Sequence, residues 1–108
     1  MRLVIILLTI AAFGQQGRKV TLSWTDSQNP AGTTYSIYRA AGICSGSPVF
    51  SKIATGLTAK TYIDQPVAPG NYCYAATATA GGMESGQSVG AQAAVSPFAP
   101  IDIQIVIQ

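Results

Sequence analysis

Val67-Ala68-Pro69-Gly70-Asn71-Tyr72-Cys73-Tyr74-Ala75-Ala76-Thr77-Ala78-Thr79 reads as a turn followed by a strand. Pro69 fixes its own φ and Gly70 lacks a Cβ, so together they interrupt whatever precedes them. Beyond the break, Tyr72, Tyr74, Ala76 and Ala78 recur at every second position, the spacing of side chains on one face of a strand. A helix would gather its apolar residues three and four apart, and no stretch of the chain does so over a helical length.

The same alternation returns on both sides of this strand. Val20, Leu22 and Trp24 alternate with Thr21 and Ser23, and Tyr35 and Ile37 share a face. Val49–Ile53, Thr61–Asp64 and Gln87–Val95 read as further short strands. Turn residues separate them: Asp26–Thr33 with Asn29-Pro30 and Gly32, the Gly/Ser-rich stretch Ala41–Pro48, and Gly81-Gly82. Short strands punctuated in this way predict an all-β sandwich. The predicted core is Val20, Leu22, Trp24, Tyr35, Ile37, Tyr62, Tyr72 and Tyr74, with Trp24, Ile37, Tyr62 and Tyr74 meeting in one layer between two sheets.

Composition agrees with strands. Charged residues make up 9% of the 108 residues, against about 25% in an average globular domain. Hydrophobic residues make up 48%. Helices would want Glu, Lys and Arg on their surfaces. The net charge is +2, and Arg18, Lys19, Arg39, Lys52 and Lys60 are scattered rather than clustered. Nucleic acid is therefore not an expected partner.

Val20-Thr21-Leu22-Ser23-Trp24 resembles strand B of a fibronectin type III domain, where the Trp lies in the core. Tyr35-Ser36-Ile37-Tyr38-Arg39 resembles strand C and Thr61-Tyr62-Ile63-Asp64 strand E. Val67-x-Pro69-Gly70 followed by Tyr72–Ala78 is similar to the E–F turn and strand F, and Glu84–Ser88 to the end of the F–G loop in bacterial members. The resemblance covers Val20 to Val95. It implies an immunoglobulin-like sandwich of about seven strands, with a tyrosine corner at Tyr72. Only residues 15–19 stand between the apolar leader and strand B, so strand A is expected to be short or missing.

Residues 1–14 read as an export signal. Arg2 is a minimal positive region, Leu3–Phe13 is apolar but too short to span a bilayer as a helix, and Ala12-Phe13-Gly14 suits a cut after Gly14. The alternatives are a retained apolar strand and a membrane-lying anchor, and an uncleaved leader is the only expected link to a membrane. The expected division is leader 1–14, sandwich 15–96, and Pro linker with C-terminal strand 97–108. The expected location is secreted or at the cell surface.

The chain has two cysteines, Cys44 and Cys73. An even count in an exported chain points to a disulfide. Alternation turns Cys73 outward between Tyr72 and Tyr74, and the resemblance sets strand C beside strand F, so the loop holding Cys44 can fold over that face. Free thiols and a reactive pair are the alternatives. No Cys-x-x-Cys spacing is present, and two Cys without His make a poor metal site.

No His is present, which removes the commonest general base. The acids are Asp26, Asp64, Glu84 and Asp102. Asp26 and Glu84 fall in loops at the same end of the implied sandwich but read as solvated acids, and Asp64 reads as a turn-capping acceptor. No catalytic residue, metal or cofactor is expected. The candidate binding surface is Asn29, Met83 and Glu84 at the loop end, with Tyr38 and Arg39 facing out on strand C. The chain is expected to be a non-catalytic extracellular binding or spacer module, and the expected partner is an extracellular protein or polysaccharide.

Ser96-Pro97-Phe98-Ala99-Pro100 is a stiff linker, and Ile101, Ile103, Ile105 and Ile107 then alternate with Asp102, Gln104, Val106 and Gln108. A one-faced strand left open is an aggregation hazard. Three homes suit it: the edge of strand B within the chain, the same edge of a second copy, giving a homo-oligomer or a structural subunit, or a pairing elsewhere.

Overall fold

The computed structural model describes the backbone of residues 4–12 and all of residues 18–100. The strands are β1 (Val4–Ala12), β2 (Arg18–Asp26), β3 (Thr34–Ala41), β4 (Ser51–Leu57), β5 (Thr61–Val67), β6 (Gly70–Ala80), β7 (Met83–Glu84) and β8 (Ala91–Val95). The first sheet has the order β1-β2-β5; the second has the order β4-β3-β6-β7, with β8 also on β6. All pairings are antiparallel. Among the described residues the one helical turn is a 3-10 turn at Cys44–Gly46.

The core follows from the alternation. β2 buries Val20, Leu22 and Trp24 and leaves the residues between them partly in solvent. Tyr35 and Ile37 of β3 and Tyr74, Ala76 and Ala78 of β6 meet them from the second sheet, with Val67, Ala93 and Val95 completing the cluster. Tyr62 and Tyr72 are half-buried against it. Trp24 and Tyr35 pack edge to face at 5.5 Å and 65°, a contact adding roughly 0.5–1.5 kcal/mol beyond the area it buries. Tyr35 stands beside Ala78, and Ile37 beside Ala76. Small β6 residues next to large β3 residues make room for the Trp24 ring between the sheets.

The edge of β2 is filled differently from the sequence expectation. β1 runs along it, with Ile6 opposite Trp24, Leu8 opposite Leu22 and Ile10 opposite Val20. The apolar run Val4–Ala12 thus occupies the edge beside β2 that the sequence reading left short or vacant. The tail with Ile101, Ile103, Ile105 and Ile107, for which that edge was one of three expected homes, lies outside the described residues.

Several strand boundaries shift, and β5 runs on to Val67, which the sequence placed in the turn. The strand expected at Val49–Ile53 is Ser51–Leu57, and the one expected at Gln87–Val95 shortens to Ala91–Val95. Serines keep the intervening segment on β6. Ser85 N–H donates to Ala78 O at 2.8 Å while its Oγ accepts from Ala78 N–H at 2.9 Å. Ser88 does the same at Ala76, with distances of 2.8 and 3.0 Å. Side-chain oxygens replace the carbonyls of a regular strand, so the β6 backbone stays satisfied where the ladder is interrupted.

Local devices lock the E–F end. Tyr72 OH donates to Ala68 O at 2.8 Å, closing a tyrosine corner over the turn. Cys44 and Cys73 form a disulfide with Cα atoms 5.1 Å apart, closing a separation of 29 residues. Cys73 sits opposite Ala40 on the outer side of β6 but is only 1% exposed. The loop carrying Cys44 covers it, held by Cys44 N–H donating to Gln92 Oε1 at 2.7 Å. Gln92 Nε2 in turn donates to Tyr72 O at 3.3 Å.

Gly90 closes over the sulfurs. A Cβ there would stand 2.6 Å from Cys73 Sγ and 3.1 Å from Cys44 Sγ. Gly90→Ala is expected to lower stability by about 1–3 kcal/mol through overpacking. Chemical denaturation with and without Cys44→Ala/Cys73→Ala checks this: the Gly90→Ala penalty shrinks once the sulfurs are gone. An undiminished penalty would locate its cause elsewhere.

Candidate functional site

The described carboxylates are all engaged. Asp64 lies on β5 two residues after Tyr62, so it points between the sheets. Its Oδ2 accepts from Tyr74 OH at 2.6 Å and from Arg39 Nη1 at 2.8 Å. The Asp64 side chain is 10% exposed and that of Arg39 35%. This acid ties the first sheet to β3 and β6 of the second, which corrects its reading as a turn-capping acceptor. It also corrects Arg39. Neighbouring strand residues point to opposite faces, so Arg39 shares the side of Ile37 and does not face out with Tyr38.

Glu84 of β7 gathers a second cluster on the outer face of the second sheet. Its Oε2 accepts from Tyr38 OH at 2.5 Å and Thr77 Oγ1 at 2.6 Å, and Lys52 Nζ lies 3.4 Å from Oε1. The Lys52 ammonium also stands over the Tyr38 ring at 5.5 Å. Asp26 organises the loop after β2. It accepts from Asn29 Nδ2 at 2.6 Å, from Tyr35 OH at 2.9 Å, and from the N–H groups of Gln28 and Asn29 at 3.2 Å.

These loops frame a cleft of about 380 Å³ lined by Asn29, Ala78, Ala80, Met83, Glu84 and Ser85. The sequence candidates Asn29, Met83 and Glu84 therefore come together, with Tyr38 joined through its bond to Glu84, while Arg39 lies apart with Asp64. Met83 is 77% exposed at the mouth. A smaller polar cleft of about 200 Å³ lies beside it, around Asp26, Pro30, Thr33 and Lys60. Sequence reasoning missed Lys52 and Thr77, which are unremarkable strand residues until β4, β6 and β7 are aligned. At the opposite end, Arg18, Pro66, Val67, Pro69, Pro97 and Phe98 line a mainly apolar groove of about 390 Å³.

Titration follows from these contacts. Burial pushes the Asp26 carboxyl up, but the hydrogen bonds from Asn29, Tyr35 and Gln28 outweigh it, leaving it below its ordinary 3.8. Hydrogen bonds from Thr77 and then Tyr38 hold Glu84 below its ordinary 4.5. A carboxyl lowered by folding stabilises above its unfolded pKa and loses that contribution as pH falls through the folded one. Burial, then the bond to Asp26, pushes Tyr35 up to about 12. Burial, then the bond to Asp64, also drives Tyr74 upward. A phenol raised by folding stabilises fully below its unfolded pKa of 10.0 and loses that contribution as pH rises further. Stability is therefore expected to decline below about pH 4 and again above about pH 10. Spectrophotometric titration checks the alkaline side: part of the tyrosinate signal is delayed beyond pH 10 and appears only with unfolding.

No family model and no curated protein matches the sequence. Solved structures do. A crystal structure of an Fn3-like protein from Clostridium thermocellum aligns with a TM-score of 0.60 at 24% identity, covering 79% of this chain and 83% of that one. A solution structure of a human FNIII domain aligns with a TM-score of 0.61 at 13% identity, covering 88% of this chain and 79% of that one. The fold is fibronectin type III-like. In its terms β2, β3, β5 and β6 are strands B, C, E and F, and the cleft at Asn29, Met83 and Glu84 lies between the B–C and F–G loops of a fibronectin type III-like sandwich. The disulfide and the fold are compatible with an extracellular protein.

Proposed function

We propose that this protein is a non-catalytic extracellular module that binds a surface protein or polysaccharide through the loop end formed by Asn29, Met83 and Glu84. The observation that carries the reading is the commitment of Asp26, Asp64 and Glu84 to hydrogen bonds within the fold. In a chain without His, that leaves these carboxylates holding elements together rather than poised to move a proton. The loop-end cleft combines an exposed thioether, an amide and a carboxylate, the mixture of an apolar body and orienting polar groups that recognition sites use. The fold alone supports a module and does not choose its ligand.

The test is retention on immobilised protein. Purified cell-surface polysaccharide and cell-surface protein fractions are passed over the wild-type chain and over Met83→Glu. Met83 is exposed, so the variant is expected to unfold at the wild-type temperature while retaining less ligand. Equal retention by both rejects the loop end as the site, and no retention of either fraction leaves only a spacer role.

A further inference from the structure

The groove opposite the loop end is apolar on its walls and cationic at one point. Pro66, Ala68, Pro69 and Pro97 line it and are exposed, with Phe98 half-buried beside them. Arg18 is the one charged residue on its lining, and Ser96 carries the one hydroxyl. The volume of about 390 Å³ falls in the range of small-molecule sites. The backbone along the walls offers little to a polar ligand. Pro66, Pro69 and Pro97 have no N–H. Ala68 O already accepts from Tyr72 OH at 2.8 Å, and Pro97 O from Arg18 Nη2 at 3.1 Å. An extended peptide laid here would leave its own amides short of partners, which is costly away from water. A hydrocarbon chain has no such groups to leave unpaired.

The fold does not complete the Arg18 guanidinium. Its Nε is buried without an acceptor, and its Nη2 reaches only a neutral carbonyl. Among the described residues, Asp64 and Glu84 pair with Arg39 and Lys52, and Asp26 is held by Asn29, Tyr35 and Gln28 in the loop after β2. No described carboxylate pairs with Arg18. The Phe98 ring, 4.3 Å from the guanidinium carbon, holds the cation in place at the groove. A guanidinium fixed in this way matches a carboxylate, whose two oxygens fit its planar fork.

We propose that this groove binds a medium-chain fatty carboxylate, with its head on the Arg18 guanidinium and its chain along Pro66, Pro69, Pro97 and Phe98. Burial of the chain supplies the affinity, and the head sets the orientation. The walls are in place before binding: proline rings fix their own φ, the tyrosine corner holds the turn, and Phe98 holds the cation, so little freedom is lost on association. The site is separate from the loop end, and neither reading depends on the other.

Titration of the full 108-residue chain with octanoate, followed by amide NMR, tests it. The Val67, Ala68, Ser96 and Phe98 amides and the Arg18 Nε–H signal are expected to move while Met83 stays still. Shifts scattered over the surface, or confined to the loop end, would overturn the proposal. Octanoate is expected to bind about tenfold more tightly than octanol, which keeps the chain and lacks the charge, and about tenfold more tightly than acetate, which keeps the charge and lacks the chain. Parity with either would overturn the proposal, the first as a non-specific apolar contact and the second as an adventitious ion only. A short apolar peptide with a free terminal carboxylate that binds more tightly than octanoate would overturn it in favour of a protein terminus. Arg18→Met is expected to lower octanoate affinity to that of octanol, and unchanged affinity would overturn the assignment of the head group. The ligand comparisons on the wild-type chain stand whether or not that variant folds.

Discussion

Reducing the Cys44–Cys73 disulfide, or replacing both residues by alanine, is expected to lower stability by roughly 3–4 kcal/mol. For a chain of this size that corresponds to a fall in Tm of about 15–30 °C. The bridge closes a separation of 29 residues, which takes in the loop after β3 and all of β4 and β5. Most of its effect comes from restricting the unfolded chain, so the denaturant slope is expected to rise when the bridge is opened. Alanine is the better replacement because Cys73 is 1% exposed and a serine hydroxyl there would need a partner. Denaturant unfolding of the oxidised and reduced wild type compares the two states without changing the sequence. Coincident midpoints would show that the bridge only decorates a fold held by its core.

Asp64→Ala is expected to cost about 3 kcal/mol. Tyr74 is fully buried, and its hydroxyl would lose its acceptor. Arg39 would keep a partly buried charge without its counter-charge. Breaking a buried pair costs roughly 3–5 kcal/mol, and the 35% exposure of the Arg39 side chain sets this case at the lower end. A double-mutant cycle separates the contributions. Asp64→Ala is expected to cost about 1–2 kcal/mol less in a Tyr74→Phe background, where no hydroxyl is left orphaned. Strict additivity would mean that the Tyr74–Asp64 hydrogen bond contributes nothing.

The core was legible because alternation needs no knowledge of what lies opposite. Val20, Leu22 and Trp24 announce a half-buried strand whichever sheet covers them. Asp64 was misread because its partners, Arg39 and Tyr74, are 25 and 10 residues away and meet it only when the sheets stack. The signal was nevertheless present: a residue two positions from core Tyr62 lies on the core side, as Arg39 does two positions from Ile37. The edge of β2 was harder. A short apolar run such as Val4–Ala12 fits both an export leader and a strand, and no local pattern separates them. The interrupted ladder between β7 and β8 was also hidden, because nothing in the sequence marks Ser85 and Ser88 as stand-ins for ladder carbonyls until their hydroxyls are seen beside Ala78 and Ala76.

The closed loop also governs how the molecule answers a pulling force. A chain stretched from residues outside Cys44 and Cys73 can straighten everything except the segment between them, since a covalent bond does not yield at forces that open β-sheets. That segment withholds about 100 Å of contour length, replaced by the 5.1 Å between the two Cα atoms. Forced open on a surface, the protein would act as a short tether with a knot of fixed size, and its full extension would be reached only in a reducing medium.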